Sequence, residues 1–213
     1  AKHLVLTGND DDDIDFDEGY KGNVQYALII KNQTAAATPQ GSNDPRGIEG
    51  NSDLAKGDET PETNAAIANV TIIGGDINNG QPAVKLRGKV NTTLAKAVST
   101  GFTSGCLEVK TSEMTNVTIQ DYICDETALK EDAPASGSVV ATAAAITFNA
   151  SGAAQNAEAV DSGITADLTA VNNGSSFAFD ATTFAGAVNP DGTDNWTAGW
   201  TIEGSLDGLT SVN

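Results

Sequence analysis

The stretch VKLRGKVNTTLAKAVSTGFTSGCLEVKTSEMTNVTI, residues 84–119, carries the pattern from which the architecture follows. It holds four short β-forming runs: Val84-Lys85-Leu86-Arg87, Thr93-Leu94-Ala95, Cys106-Leu107-Glu108-Val109 and Val117-Thr118-Ile119. By subtraction of positions, Val84 to Leu94 is 10 residues, Leu94 to Leu107 is 13, and Leu107 to Val117 is 10. Two strands returning every ~23 residues is a solenoid period. A coil that short cannot bury its own apolar face, but stacked coils can. Val84/Leu86 and Leu107/Val109 alternate with charged neighbours, so the apolar set is expected to point inward and stack.

Working outward, the same two strand types recur. Ile14-Asp15-Phe16-Asp17 and Gly47-Ile48-Glu49 match the first type, and Val24 to Ile30 and Val70-Thr71-Ile72 the second. The outward ladder is then Asp15/Asp17, Glu49, Lys85/Arg87 and Glu108. Val24 to Val70 is 46 residues, about two periods, and the excess lies in two polar segments, 33–46 and 51–64. These read as long loops, which cost little because closure entropy grows only logarithmically with length. The expected organisation is a parallel β-helix of about four coils over residues 1–124. A C-terminal β-rich capping region over 125–213 follows, where the period is lost. Only Ala153–Val160 and Glu126–Asp132 offer modest helical candidates.

Composition narrows the function. Asp and Glu number 29 against 11 Lys and Arg, a formal charge of -18, while 39% of residues are hydrophobic. A net negative chain without a basic stripe repels phosphate, which argues against nucleic acid. No run approaches the roughly 20 apolar residues that span a bilayer. The single histidine, His3, leaves little room for a His base, a His-ligated zinc or a Ser-His-Asp triad. Ala1 opens the chain with no initiator Met, so it reads as a mature or excised product.

Several residues are candidates for specific roles. Cys106 and Cys124 are expected to form one disulfide in an oxidising compartment, adding roughly 3 kcal/mol in the chain-entropy picture. The acids from Asp10 to Glu18 allow three readings. One is a solvated face; another is a calcium site using Asp11, Asp13, Asp15 and Asp17, since hard oxygen ligands suit Ca²⁺. The third is a glycosidase carboxylate pair drawn from Asp13, Asp15 and Asp17. His3, Leu4, Val5 and Leu6 form a strand with nothing before it, a free edge that invites pairing. Trp196 and Trp200 are expected to plug the last coil, with a carbohydrate-stacking surface as the alternative.

Four segments resemble secreted, right-handed parallel β-helix proteins of the broad pectate-lyase-like class. They are Asn9 to Tyr26 (NDDDDIDFDEGYKGNVQY), Gly47 to Asn51 (GIEGN), Gly105 to Val109 (GCLEV) and Ala185 to Thr201 (AGAVNPDGTDNWTAGWT). The resemblance implies a fold and a surface location, and assigns no catalytic residue. The resulting expectation is a non-enzymatic extracellular or cell-surface protein serving in a filament, surface layer or adhesion. Its main partner is expected to be copies of itself stacked head to tail, with Ca²⁺ as a candidate aid. The rival expectation is a carbohydrate-active protein, a lyase, glycosidase or glycan-binding module, acting on an extracellular glycan.

Overall fold

Parallel strands alternate between two sheets along the chain. The computed structural model describes residues 1–31, 45–52, 60–75, 80–110, 116–125, 129–130, 132, 134, 139–141, 146–155, 157 and 176–210. One sheet holds β1 (Lys2–Thr7), β3 (Asn23–Ile30), β5 (Asn64–Ile73), β7 (Asn91–Thr100), β9 (Asn116–Cys124) and β10 (Val139–Ala141), in that order. The shorter sheet holds β2 (Ile14–Phe16), β4 (Ile48–Gly50), β6 (Val84–Leu86) and β8 (Leu107–Val109). Every strand pair is parallel, and Leu129 adds a parallel bridge to Leu107 beyond β8. This is a β-helix in which each turn supplies one strand to each sheet. Among the described residues there is no α-helix, only a 3₁₀ turn at Asp207–Thr210, and no helix long and apolar enough to cross a membrane. Ala153–Gln155, at the start of one helical candidate, runs as a bridge and bend; residues 158–160 and most of 126–132 lie outside the described residues.

In the short sheet the register follows the alternation. Ile14, Ile48, Val84 and Leu107 stack inward, as do Phe16, Gly50, Leu86 and Val109. Between them Asp15, Glu49, Lys85 and Glu108 form the outward ladder. The long sheet departs from expectation. Val70 does not stand opposite Val24 and Leu94; Val24 pairs with Ile67, Ile67 with Leu94, and Leu94 with Ile119.

The offset of three has a physical cause. His3, Tyr26, Asn69, Lys96 and Asp121 take φ of 61°, 62°, 53°, 53° and 53°, and they occupy one position in successive rungs. A residue in the left-handed region turns the strand through a corner and resets its alternation. Ile67 and Val70, three apart, therefore both enter the core.

The solenoid also outruns its expected limits. β1 pairs Leu4 with Ala27, a step of 23 residues, and β10 pairs Val139 with Tyr122 beyond residue 124. Among the described residues the long sheet thus has six rungs where about four coils were expected. The described part of the C-terminal region covers a side of the solenoid. Leu28, Ile30 and Ile73 point outward beyond the corner, and Ala153, Ala187, Val188 and Leu209 bury them, with Val5, Phe148, Trp196 and Leu206 packed alongside. Val98 and Ile123 are covered in the same way by Ile146, Ala154, Ala157 and Ala185. Each such side chain contributes about 1.5–3 kcal/mol when fully buried.

Side chains of the corner column and its neighbours tie this cover down. Gln25 Nε2 donates to Asp180 O at 2.9 Å and Gln25 Oε1 accepts from Asp180 N at 2.8 Å. Gly186 N donates to Lys96 O at 2.8 Å, and Ala187 N to Thr71 Oγ1 at 2.9 Å. Cys106 and Cys124 are joined by a disulfide inside the last full coil. Tyr122 lies beside it, fully buried, its hydroxyl donating to Cys106 O at 2.9 Å.

Candidate functional site

The outer face of the short sheet is where exposed backbone geometry meets charge. β2, β4, β6 and β8 hold their middle residues in a row at the spacing of neighbouring strands, about 4.8 Å, so Asp15, Glu49, Lys85 and Glu108 face one another in order.

Cations from the loops fill in around that row. Glu49 Oε1 lies 3.3 Å from Arg46 Nη1 and 3.1 Å from Arg87 Nη2. Arg46 is 1% exposed; it also reaches Asp12 at 3.5 Å and donates through Nη2 to Gln81 Oε1 at 3.0 Å. Glu108 sits among three ammonium groups, Lys85 at 3.5 Å and Lys110 and Lys130 at 3.3 Å each. Burial pushes the Glu108 carboxyl up, but Lys85 and Lys130 outweigh it and leave it below the usual carboxylate range.

The acidic turn before β2 is divided between inside and outside. Asp13 turns inward, its side chain and that of Lys31 both fully buried in a 2.8 Å ion pair, with Asn9 donating to Asp13 Oδ1 at 2.9 Å. Burial dominates here: it pushes the Asp13 carboxyl up to about 6, with Lys31 pulling the other way. Asp12 is pushed up to about 7, by burial first and by Glu49, against the pull of Arg46 and of the Arg46 N–H that its Oδ1 accepts at 2.7 Å. Asp15 is raised as well, by partial burial and then by Glu49, Asp17 and Asp11.

The four candidate calcium ligands are therefore not brought together. Asp13 is committed to Lys31, whereas Asp11, Asp15 and Asp17 point to solvent. Among the described residues no three His, Cys, Asp or Glu side chains converge as a metal site requires. Strand alternation is the reason, because consecutive odd positions share a face only inside a strand, and β2 begins at Ile14. The Asp13/Asp15/Asp17 carboxylate set separates for the same reason. On the face Asp15 and Glu49 stand one rung apart, and Glu49, which also meets Asp12, is held between two guanidinium groups.

The remaining candidates fall at the β1 end. His3, Leu4, Val5 and Leu6 lie in β1, the outermost strand of the long sheet. The His3 ring stacks on Tyr26 at 4.9 Å and meets Trp196 at 5.0 Å. This overturns the plug assigned to the tryptophans: Trp196 packs beside the first rung, at the opposite end of the sheet from β10. Trp196 Nε1 donates to Ala187 O at 2.9 Å, and Trp200, 55% exposed, stacks on it at 6.2 Å. The outward side chains of Leu28, Ile30 and Ile73 drew the C-terminal segment to the side of the helix.

Sequence reasoning missed Arg46, Lys31 and Lys130, and also the buried Lys96–Asp121 pair at 2.9 Å. Lys31 and Arg46 leave no periodic trace. Lys130 does, since Leu107 plus one more turn reaches Leu129. A family model of a pectate-lyase-like β-helix domain matches residues 1–201. No curated protein and no solved structure matches the chain.

Proposed function

The chain belongs to the pectate-lyase-like β-helix family, and from that premise we propose that it is a non-enzymatic structural solenoid that assembles by stacking on copies of itself outside the cell. The observation that carries this reading is the stacked architecture itself: rungs in strict parallel register, with Ile14, Ile48, Val84 and Leu107 in one inward column, form a pattern that a rung of another copy extends without a change of register. Cation pairing also occupies the ladder: Glu49 and Glu108 each have two or more cations within 3.5 Å. The buried disulfide fits an oxidising, extracellular setting.

Negative-stain electron microscopy of concentrated protein tests this: rods one chain wide are expected, and uniformly single particles would count against it. One observation favours a second reading, a carbohydrate-active protein. Asp15, raised and exposed, stands one rung from Glu49, a carboxylate pair of the sort glycosidases use. Release of reducing ends or unsaturated product from neutral or acidic polysaccharides, abolished by Asp15→Asn, would establish it; we expect none.

A further inference from the structure

We propose that Trp200, backed by Trp196, is a lateral binding platform for a neutral, hydroxyl-rich glycan, set on the side of the solenoid and apart from the short-sheet ladder. The inference does not rest on the stacking of copies; a stack would only repeat the platform along its side.

Aromatic surface is scarce in this chain, and here it lies in the open. Only 5% of residues are aromatic, and two of them are tryptophan. Among the described residues the large apolar side chains left exposed are Tyr20, Trp200 at 55% and Ile202 at 82%. The last two stand two positions apart in one loop. Neighbouring exposed apolar residues mark a contact surface, whereas a single one needs no explanation.

The rings are held in place before any ligand arrives. Trp196 Nε1 donates to Ala187 O at 2.9 Å, and the ring packs with Val5 on the cluster of Leu28 and Ile30 at the side of the solenoid. Trp200 Nε1 donates to Trp196 O at 2.5 Å, so its one polar atom is already used and its exposed ring offers aromatic carbon. Thr201 Oγ1 donates to Thr197 O at 3.1 Å, and Thr197 Oγ1 to Ser151 O at 3.2 Å, which ties the loop to the C-terminal cover. The two indoles lie within 21° of parallel with centroids 6.2 Å apart, an offset arrangement that makes a stepped surface wider than one ring. A surface fixed in advance loses little freedom when it binds.

Charge selects the ligand. From Asn189 to Asp207 the charged residues are Asp191, Asp194, Glu203 and Asp207, all exposed, with no lysine or arginine among them. That rim repels uronates, nucleic-acid phosphates and anionic lipid headgroups. It also disfavours a second copy of this chain, which brings a formal charge of -18 to the same rim. Near-parallel rings form a step, not the cage that closes around an organic cation. A neutral sugar suits both parts of the site. The apolar C–H face of a pyranose lies flat on an indole, and its hydroxyls donate to the carboxylates around it.

The full chain tests this in native gels cast with neutral polysaccharides (hydroxyethylcellulose, mixed-linkage β-glucan, galactomannan) and with anionic alginate. Retardation in at least one neutral gel is expected, and none in alginate. Because the chain has two tryptophans, an oligosaccharide of the retarding glycan should also shift the intrinsic fluorescence of the unmodified protein. Trp200→Ala should weaken binding by about tenfold. Trp200→Phe, which keeps an aromatic face and gives up the Nε1 bond, should weaken it less. Circular dichroism would verify that both variants fold. Retardation in none of the neutral gels would overturn the proposal. Stronger retardation in alginate would overturn its charge argument and with it the ligand class. Equal retardation of Trp200→Ala and unmodified protein would place the glycan elsewhere on the molecule. If Trp200→Ala instead abolished self-association in sedimentation and left retardation unchanged, the patch would be a contact between copies and the proposal would fall.

Discussion

Gly50 illustrates how a single residue serves the stack. Its column runs Phe16, Gly50, Leu86, and the Phe16 ring occupies the space that a side chain at 50 would need. A Cβ there would come within 2.5 Å of Phe16 and 2.7 Å of Leu86. Gly50→Ala is expected to destabilise by about 2–3 kcal/mol through overpacking, and Phe16→Ala by about 3–5 kcal/mol through a cavity. The pair should cost less than the sum, because each change relieves the other. Urea denaturation of the two single variants and the double decides it; additive losses would contradict the packing. In the sequence Gly50 is simply the residue that follows the strand run Gly47-Ile48-Glu49. Nothing local announces that it makes room for a ring one rung away, because the contact spans 34 positions of chain.

At the scale of the element, the corner column separates what was legible from what was not. In the short sheet, plain alternation placed Asp15, Glu49, Lys85 and Glu108 in one ladder, and the register follows it. The long strands defeat the same reasoning at their left-handed residue, since two inward sets out of phase by one look like two different strands. Positions such as Tyr26 and Lys96 carry no propensity for positive φ, so tertiary contacts impose it. Asn69 is the natural choice among the five. Its Oδ1 accepts from Gln25 at 3.0 Å and from Thr182 at 3.2 Å, and its Nδ2 donates to Phe184 O at 3.3 Å. Asn69→Gly and Asn69→Val both lose these bonds, but only valine also resists positive φ. Asn69→Val should be the less stable by about 1–3 kcal/mol in chemical denaturation; equal losses would mean the corner is unstrained. The continuous apolar run ALII at 27–30 has the pattern of a strand buried on both faces: Ala27 and Ile29 face the core, and Leu28 and Ile30 mark where the C-terminal segment docks.

For the whole molecule, burial of acids couples stability to pH. Asp13 and Asp12 are pushed up to about 6 and about 7, so the folded state takes up protons that the unfolded chain releases. The stability they contribute is complete below the ordinary carboxylate range and is lost as pH rises through about 6 and then about 7. The melting temperature should be higher at pH 5 than at pH 8 by about 5 °C. Asp12→Asn, which can still accept from the Arg46 N–H, should remove the upper part of that slope. A melting temperature that falls steadily from pH 8 to pH 5 would contradict the burial of these carboxyls.

The charge of -18 is thus unevenly distributed: seven acids fall between Asp10 and Glu18, while Lys85, Lys110 and Lys130 surround Glu108. Assembly of stacked copies is the central claim. Sedimentation velocity over a concentration series at neutral pH tests it most directly. The prediction is a family of species that lengthens with concentration and shows no closed end point. A single species at 21.7 kDa throughout would contradict it.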